Sequence, residues 1–267
     1  MDVSTTSDTR AAYDALAPVY DGLTAHHDHE RWLAQLLDLA CRHGLAGTRA
    51  LDVACGTGKS FMPLVRRGWE VTACDLSPTM AARARRRARG HRVRVRVADM
   101  RRLPVLCADA DLVTCLDDAV NYLLDPGELR AGLAGMRANL RPGGLLVFDV
   151  NTLATYRTVF CEGLGWGDGE ETYVSLGEPR PVDLGGLFAT TLQAWRGAAL
   201  LAESRHVQRH HGASELLHAL RCAGLEALEL YGSAADGSPQ RPPDEQLHVK
   251  TVVVARRPPA PRTGEGR

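Results

Sequence analysis

Lysine is almost absent from this chain of 267 residues. Lys59 and Lys250 are its only lysines, and every other permanently cationic side chain is an arginine. We attribute this bias to a GC-rich genome, because arginine codons are rich in G and C and lysine codons are not. Lys plus Arg and Asp plus Glu each number 32, so the formal net charge is +0. The overall charge therefore favours neither a polyanion nor a membrane surface as a partner.

Three further features are missing: paired cysteine motifs, a secretion signal and a long apolar run. The 7 cysteines are scattered and form no C-x-x-C pair. Cys55, Cys74 and Cys115 end predicted buried strands, where cysteine behaves as a small hydrophobe. We therefore expect free thiols in a cytoplasmic protein. Residues 1–10 contain no apolar signal segment, and no run approaches the roughly 20 apolar residues of a membrane helix, so we expect no membrane partner.

The hydrophobic pattern alternates between strands and helices across the first half of the chain. The predicted strands are 50–54, 70–74, 93–97, 111–116 and 145–150, and the predicted helices are 60–67, 77–89 and 126–140. Such alternation predicts a parallel sheet covered by helices on both faces. Because crossovers are right-handed, the sheet should be doubly wound.

The flanking segments have a different texture. Apolar residues recur at helical spacing from Tyr13 to His43, which predicts an N-terminal helical lid. A Gly- and acid-rich stretch and a predicted hairpin joined at Arg196-Gly197 suggest a β-rich cap inserted over the carboxyl edge of the sheet. The expected organisation is a disordered N-terminus (1–9), the helical lid (10–47), the core (48–150), the inserted cap (151–211), terminal strands of the sheet (212–256) and a disordered tail (257–267).

A loop with two glycines follows the first predicted strand, in the segment L-D-V-A-C-G-T-G-K-S at 51–60. Glycine lets backbone approach a ligand closely, and the following helix presents free N–H groups. A phosphate loop would need glycine at position 53, where Val53 stands inside the strand. A dinucleotide loop would need it at position 61, where Phe61 stands. Both nucleotide interpretations are therefore disfavoured.

Asp52 ends the first strand just before Gly56 and Gly58, and this stretch resembles the first motif of class I S-adenosylmethionine-dependent methyltransferases. Segments that resemble the later motifs follow in order at 71–77, 98–100, 111–116 and 140–144. The resemblance covers roughly residues 10–150 and, more loosely, the final strands. It implies an α/β, Rossmann-like fold with a mostly parallel seven-stranded sheet and helices on both faces, and S-adenosylmethionine as cofactor.

The resemblance also implies roles for single residues. Asp75 would bond both ribose hydroxyls, since a carboxylate accepts two hydrogen bonds at once. Asp99 would take the exocyclic amine of adenine, and Met100 would pack on the ring. The expected cofactor-binding set is Tyr13, Tyr20, Trp32, Asp52, Ala54, Gly56, Gly58, Asp75, Leu76, Met80, Asp99, Met100 and Leu116.

The lid carries aromatic residues of two kinds. The pattern around Tyr13 and Tyr20 resembles the opening of glycine-type and sugar N-methyltransferases, where such tyrosines close over the methionine end and the acceptor. Trp32 would either wall off the cofactor or pack as an ordinary helix residue.

Candidates for the acceptor chemistry follow the fourth strand. Asp117 or Asp118 could hold an amine or take its proton, although adjacent carboxylates also suit a solvated turn. His206, on one face of a predicted cap strand with His210, is a candidate base or a polar surface residue. Tyr20 completes the expected catalytic set. Residues 116–122, which follow the fourth strand, lack the Asn/Asp-Pro-Pro-Tyr pattern of base and glutamine amino-methyltransferases. This absence disfavours bases and glutamine side chains as acceptors.

The run His26-His27-Asp28-His29-Glu30 raises the question of a metal site. Adjacent helix residues point apart, and His26 with His29 or Glu30 supplies only two ligands. We therefore expect no metal.

The arginines of 83–102 raise the question of RNA. No RNA-binding module accompanies them, and acidic stretches elsewhere balance their charge. A solvated helix face and a protected edge strand explain them without a nucleic-acid partner.

The sequence thus predicts a methyltransferase that uses S-adenosylmethionine to methylate N or O of a small molecule, such as an antibiotic-type natural-product intermediate. Two alternatives stay open: a non-methylating relative that binds the cofactor or its product, and an RNA methyltransferase. A homodimer is compatible with either.

Overall fold

The computed structural model describes residues 6–167, 169–179, 181–234 and 237–259. Its helices are α1 (Thr6–Leu16), α2 (Tyr20–Leu23), α3 (His29–Arg42), α4 (Met62–Arg66), α5 (Pro78–Arg87), α6 (Pro126–Asn139), α7 (Leu153–Thr155) and α8 (Ala213–Cys222). Its strands are β1 (Arg49–Val53), β2 (Glu70–Asp75), β3 (Val93–Val97), β4 (Ala110–Cys115), β5 (Leu140–Asn151), β6 (Leu164–Gly167), β7 (Glu171–Gly177), β8 (Leu187–Arg196), β9 (Ala199–Arg209), β10 (Glu226–Ser233), β11 (Pro239–Gln240) and β12 (Lys250–Arg256). Over these residues, no helix has both the length and the apolar content to cross a bilayer.

The larger sheet has the strand order β11-β10-β12-β5-β4-β1-β2-β3. The five strands from β5 to β3 pair in parallel, and β12, β10 and β11 complete the sheet antiparallel. The predicted mostly parallel, doubly wound sheet is confirmed. The described residues add an eighth strand to the predicted seven, the two-residue β11 at the edge.

Side chains that alternate along the strands fill two hydrophobic clusters, one on each face of the sheet. In β1, Leu51 and Val53 pack into the cluster that contains residues of α6 and α8. Ala50 packs into the opposite cluster, with residues of α3, α4 and α5. β3 is the exposed edge, where only Val95 is buried, which matches the alternation of valine and arginine in the sequence.

The N-terminal segment forms three helices where the spacing predicts one helical run. Pro18 lies between α1 and α2. It interrupts the helical run, because proline removes a backbone donor and clashes with the preceding turn. A third helix begins anew at His29, where the Asp28 side chain caps it by accepting the Arg31 N–H at 3.0 Å. Helix α1 begins at Thr6, inside the segment expected to be disordered.

The second sheet has the order β6-β7-β8-β9 and is antiparallel. The hairpin of β8 and β9 is confirmed. Strands β6 and β7 lie in the Gly- and acid-rich stretch, for which no strand was expected. A π-helical turn over Tyr156–Glu162 was also missed; it buries Tyr156, whose ring stacks on Phe188 at 4.3 Å.

Residues 141–144 lie between the predicted helix 126–140 and the predicted strand 145–150, but they belong to β5. The strand accommodates them with an irregular register against β4 and a positive φ of 80° at Gly143. Of the predicted disordered tail, 257–259 have no regular structure, and 260–267 lie outside the described residues, as do 1–5.

Candidate active site

The loop after β1 places backbone at the carboxyl edge of the sheet. Ala54, Gly56 and Gly58 all have positive φ, of 57°, 53° and 88°. A Cβ on Gly58 would lie 2.7 Å from the ring of Phe61, so the tight turn requires glycine there. The loop is thus a compact turn that leaves the backbone of Gly56 accessible.

Asp52 supports this loop from beneath. Its side chain is 1% exposed, and it accepts hydrogen bonds from Ser60 Oγ and Thr114 Oγ1, both at 2.6 Å. Burial raises the pKa of Asp52 to about 6, although these two bonds oppose the shift. The carboxylate expected to bind the cofactor therefore joins β1 to the loop and to β4.

Asp75 lies at the end of β2, opposite the loop. Its Oδ2 accepts the Gly56 N–H and its Oδ1 accepts the Ser77 N–H, both at 2.8 Å. Burial raises its pKa to about 6 against the effect of these bonds. The two backbone donors therefore fix the carboxylate in place at the carboxyl edge of the sheet.

A cavity opens over the ends of β1 and β2. Eight residues of the expected cofactor set line it: Tyr13, Tyr20, Ala54, Gly56, Asp75, Leu76, Met100 and Leu116. A carboxylate, a glycine loop and apolar side chains therefore share one cavity, and these are the groups that the resemblance assigns to the ribose, the methionine part and the base of S-adenosylmethionine.

A smaller cavity continues from it along Leu76 and Met100, and its wall includes Asp99. The Asp99 carboxylate accepts bonds from the Arg101 N–H and Nε, both at 2.9 Å. Asp99 therefore lies at the end of the cavity where adenine is expected, and its carboxylate is already hydrogen-bonded to Arg101.

Two members of the expected set lie in the hydrophobic interior. Met80 is 0% exposed. Trp32 packs in the cluster of α3, α4 and α5, in keeping with the alternative of ordinary helix packing.

The lid is held closed through Asp21 of α2. Its carboxylate accepts bonds from Thr57 Oγ1 at 2.6 Å and from the Arg87 guanidinium at 2.5 Å. Lys59 Nζ donates to the Asp21 carbonyl at 2.7 Å. Lys59, which follows Gly58 as a lysine does in a phosphate loop, therefore binds the lid.

A second cavity lies between the lid, the sheet and the cap. Five residues line both large cavities: Tyr13, Tyr20, His29, Asp117 and Tyr122. The rest of its polar lining includes Thr24, His26, His27, Asp118, Asn151, Thr155, Thr158, Thr190, His206, Gln208 and Lys250. The two cavities therefore meet at a wall of tyrosine, histidine and carboxylate side chains.

Asp117 and Asp118 both adopt left-handed backbone, with φ of 57° and 55°. Such backbone is strained for residues other than glycine. Asp149 holds it in place, because its carboxylate accepts the N–H of Asp117 at 3.0 Å and that of Asp118 at 2.6 Å. The left-handed backbone of this turn places Asp117 at the junction of the two cavities.

Lys250 compensates these buried acids. Its Nζ lies 2.9 Å from Asp118 and 3.0 Å from Asp149. Burial lowers the pKa of Lys250, but the neighbouring carboxylates outweigh this and raise it. Burial raises the pKa of Asp149, and the Lys250 charge opposes that shift. One of the two lysines of the chain thus anchors the turn that carries Asp117.

A hydrogen-bonded chain connects the lid to the cap. Tyr13 donates to Tyr122 Oη at 3.0 Å, and Tyr122 lies 2.9 Å from His206 Nδ1. On the far side of the ring, His206 Nε2 lies 2.8 Å from Ser204 Oγ. Burial lowers the pKa of His206 to about 4. The ring is therefore neutral at pH 7, and its low pKa makes it a poor base.

The arginines of 83–102 make contacts within the chain. Arg83 donates to the Pro18 carbonyl, Arg85 to the Val95 carbonyl, and Arg87 to Asp21. These bonds account for three of the arginines as parts of the fold.

Known proteins match this architecture. Residues 50–144 match the family described as methyltransferase domain. The chain is 31% identical over 162 residues to a Geobacillus protein named as a methyltransferase, covering 60% of this chain and 65% of that protein. An S-adenosylmethionine-dependent methyltransferase from Clostridium acetobutylicum superposes with a TM-score of 0.77 at 21% identity, over 92% of this chain and 99% of that one.

A second solved structure is bound to S-adenosylmethionine: an amino pentose methyltransferase from Micromonospora echinaspora involved in calicheamicin biosynthesis. It superposes with a TM-score of 0.66 at 25% identity, over 96% of this chain and 99% of that one. Together with the fold and the glycine-loop cavity, these likenesses show that residues 50–144 form a methyltransferase domain of the class I, S-adenosylmethionine-dependent type.

Proposed function

We propose that this protein transfers the methyl group of S-adenosylmethionine to a nitrogen or oxygen atom of a small polar molecule, and we favour an amine nitrogen of an amino sugar. The observation that carries the proposal is the wall shared by the two large cavities. Tyr13, Tyr20, His29, Asp117 and Tyr122 line both of them, so a cofactor in one would lie next to an acceptor in the other.

Bound at this site, the cofactor would supply an electrophilic methyl group on its sulfonium. The contribution of the chain is to hold the two molecules in line and to exclude water. Positioning of this kind can supply about 7–11 kcal/mol of the barrier. Asp75 and the Gly56 backbone would hold the nucleoside, and Tyr13 and Tyr20 of the lid would cover the junction.

The acceptor cavity suits a molecule rich in hydroxyl and amino groups. Carboxylate, amide, imidazole and hydroxyl side chains surround it, and they would pair with such groups. Asp117 and Tyr122 stand where the acceptor atom would meet the methyl group. The amino pentose methyltransferase whose structure this chain resembles supports an amino sugar in particular.

The proposal is tested with nucleotide-linked amino sugars and matched sugars that carry a hydroxyl in place of the amine. Release of S-adenosylhomocysteine is measured, and mass spectrometry with fragmentation locates the methyl group. We expect transfer to the amines and none to the matched hydroxyl sugars. Transfer to the hydroxyl sugars alone would contradict the choice of nitrogen. Cofactor binding without transfer to any small acceptor, or transfer only to RNA, would contradict the function.

A further inference from the structure

The histidines before α3 and the strained turn after β4 meet at the boundary between the two large cavities. His27 Nε2 lies 3.4 Å from Asp117 Oδ1, and His29 Nε2 lies 3.3 Å from Asp117 Oδ2. One ligand atom from each of the three residues falls within 4.8 Å of the other two. The imidazole centroids are 4.3 Å apart. Two nitrogens and a carboxylate therefore face one another at this boundary.

The orientation of His29 is fixed by the backbone. Its Nδ1 lies 3.0 Å from the His27 carbonyl oxygen, which can only accept, so Nδ1 carries a proton. In the neutral ring, Nε2 then presents its lone pair to the Asp117 carboxylate. Two electron-rich atoms at this distance repel each other unless a cation, a proton or a metal ion, lies between them. Metal-bound histidines commonly have their other nitrogen held in this way.

His27 shows a second, independent sign of a missing partner. Its Nε2 is buried and makes no hydrogen bond within the described residues. A buried polar atom without a partner destabilises the folded state. A cation beside Asp117 would satisfy this nitrogen as well as His29.

We propose that His27, His29 and Asp117 bind one divalent transition-metal ion, such as Zn²⁺. Imidazole and carboxylate ligands suit Zn²⁺ and its first-row neighbours. At tetrahedral angles, bonds of about 2.0–2.2 Å place ligand atoms about 3.3–3.6 Å apart, and each imidazole nitrogen here lies 3.3 or 3.4 Å from one oxygen of the Asp117 carboxylate. Three protein ligands leave at least one position open for a further molecule.

No metal was expected, because the histidine run offers only His26 with His29 or Glu30 as a pair of ligands. His26 instead packs on the Trp166 ring, with the ring centroids 5.7 Å apart. The third ligand comes from a distant loop, which the strain at Asp117 brings into place. Spacing alone could not reveal this set.

The open position has a use in the reaction. All three ligands line the acceptor cavity, and His29 and Asp117 also line the cofactor cavity. An ion here would bind a hydroxyl of the acceptor and so orient the neighbouring nucleophile, which selects acceptors with adjacent polar groups. This use rests on the proposed function, whereas binding of the ion does not.

The test measures metal binding without cofactor or acceptor, on full-length protein whose affinity tag has been removed. Cys222 Sγ lies 3.4 Å from His218 Nε2 on the surface and offers a competing zinc pair, so all variants carry Cys222→Ser. Zn²⁺ affinity is measured by competition with a chromophoric chelator, and Co²⁺ absorption reports the ligand geometry. We expect one ion per chain.

His27→Ala, His29→Gln and Asp117→Asn should each weaken Zn²⁺ binding by at least about 100-fold, because even outer-shell changes cost about 10–100-fold. His26→Ala, the adjacent control, should retain it. Thermal melts confirm that each variant folds, and Asp117→Asn keeps the shape of the turn. Absence of stoichiometric binding, equal affinity in all variants, or loss only in His26→Ala would overturn the proposal. None of these outcomes depends on which acceptor is methylated.

Discussion

The carboxylate of Asp75 accepts the backbone N–H of Gly56 at 2.8 Å, so the residue expected to hold the ribose also fixes the glycine loop. One carboxylate thus joins the ends of β1 and β2 at the point where the cofactor cavity opens. Loss of this side chain should disturb both the ligand contact and the loop.

Asp75→Ala should weaken S-adenosylmethionine binding by at least about tenfold. A hydrogen bond to a charged group contributes about 1.5–3 kcal/mol, and the loop would lose its anchor as well. Isothermal titration calorimetry measures the effect. The matched control is Asp38→Ala, an exposed carboxylate on α3, which should bind as the wild type does. Equal affinity of the two variants would show that Asp75 does not hold the cofactor.

Cofactor affinity should depend on pH through the same residue. Burial raises the pKa of Asp75 to about 6, so the free protein holds it mostly protonated at pH 5 and ionised at pH 7. The ionised form accepts the ribose hydroxyls, so affinity should rise about tenfold between pH 5 and pH 7 and then level off. Calorimetry in the two buffers measures it, and Asp75→Asn should flatten the profile. A profile that falls with pH, or persists in Asp75→Asn, would assign the dependence to another group.

Lys250→Met should lower the free energy of unfolding by about 3 kcal/mol, since removal of one partner leaves a buried charge uncompensated. The uncompensated charge would be that of Asp149, which is 0% exposed. Urea denaturation measures the loss. Lys250→Arg keeps the charge and should recover most of it. A loss below about 1 kcal/mol for Lys250→Met would mean that the Asp117–Asp118 turn holds its shape without the ion pair.

Arg87→Ala should speed release of bound cofactor, because Arg87 bonds both Asp21 of the lid and the Thr57 carbonyl. A stopped-flow chase measures the dissociation rate, which we expect to rise about tenfold for the loss of about 1.4 kcal/mol of charge-assisted bonding. The control is Arg86→Ala, on the exposed face of the same helix, which should leave the rate unchanged. Equal rates in both variants would show that this clamp does not retain the cofactor.

His206→Phe should lower kcat while cofactor affinity stays within about twofold. At a pKa of about 4, His206 positions Tyr122 rather than taking a proton. His206→Asn, which can still accept the Tyr122 hydrogen bond, should restore most of the rate. A loss of rate in His206→Asn as large as in His206→Phe would favour proton transfer over positioning.

The sequence predicted the sheet because its signals are local. Strands β1, β4 and the straight part of β5 are short apolar runs bounded by glycine or acidic residues, and those runs must be buried. The cap was predicted less completely, since β6 and β7 contain glycine and acidic residues, and their stability depends on pairing across the sheet rather than on their own pattern.

Much of the site came from motif resemblance, and the rest needed long-range contacts. Tyr122 follows Asp117 and Asp118 closely in the chain, and Lys250 is one of only two lysines. Nothing local in the sequence predicts that Tyr122 contacts His206 or that Lys250 contacts Asp118. Asp149 lies within the predicted buried strand 145–150, and a lone acid at such a position is itself a sign of a buried partner. Asp52 and Met80 show the opposite case. Their positions in the motifs predicted contact with the ligand, but both residues are buried and support the fold instead.

The glycine-loop cavity should bind S-adenosylmethionine and not a nucleotide phosphate. Calorimetric titration of the purified chain with S-adenosylmethionine, NAD and ATP, each at the same concentration, distinguishes these ligands. We expect one molecule of S-adenosylmethionine bound per chain and no heat of binding with the other two. Binding of ATP or NAD, with no response to S-adenosylmethionine, would contradict it.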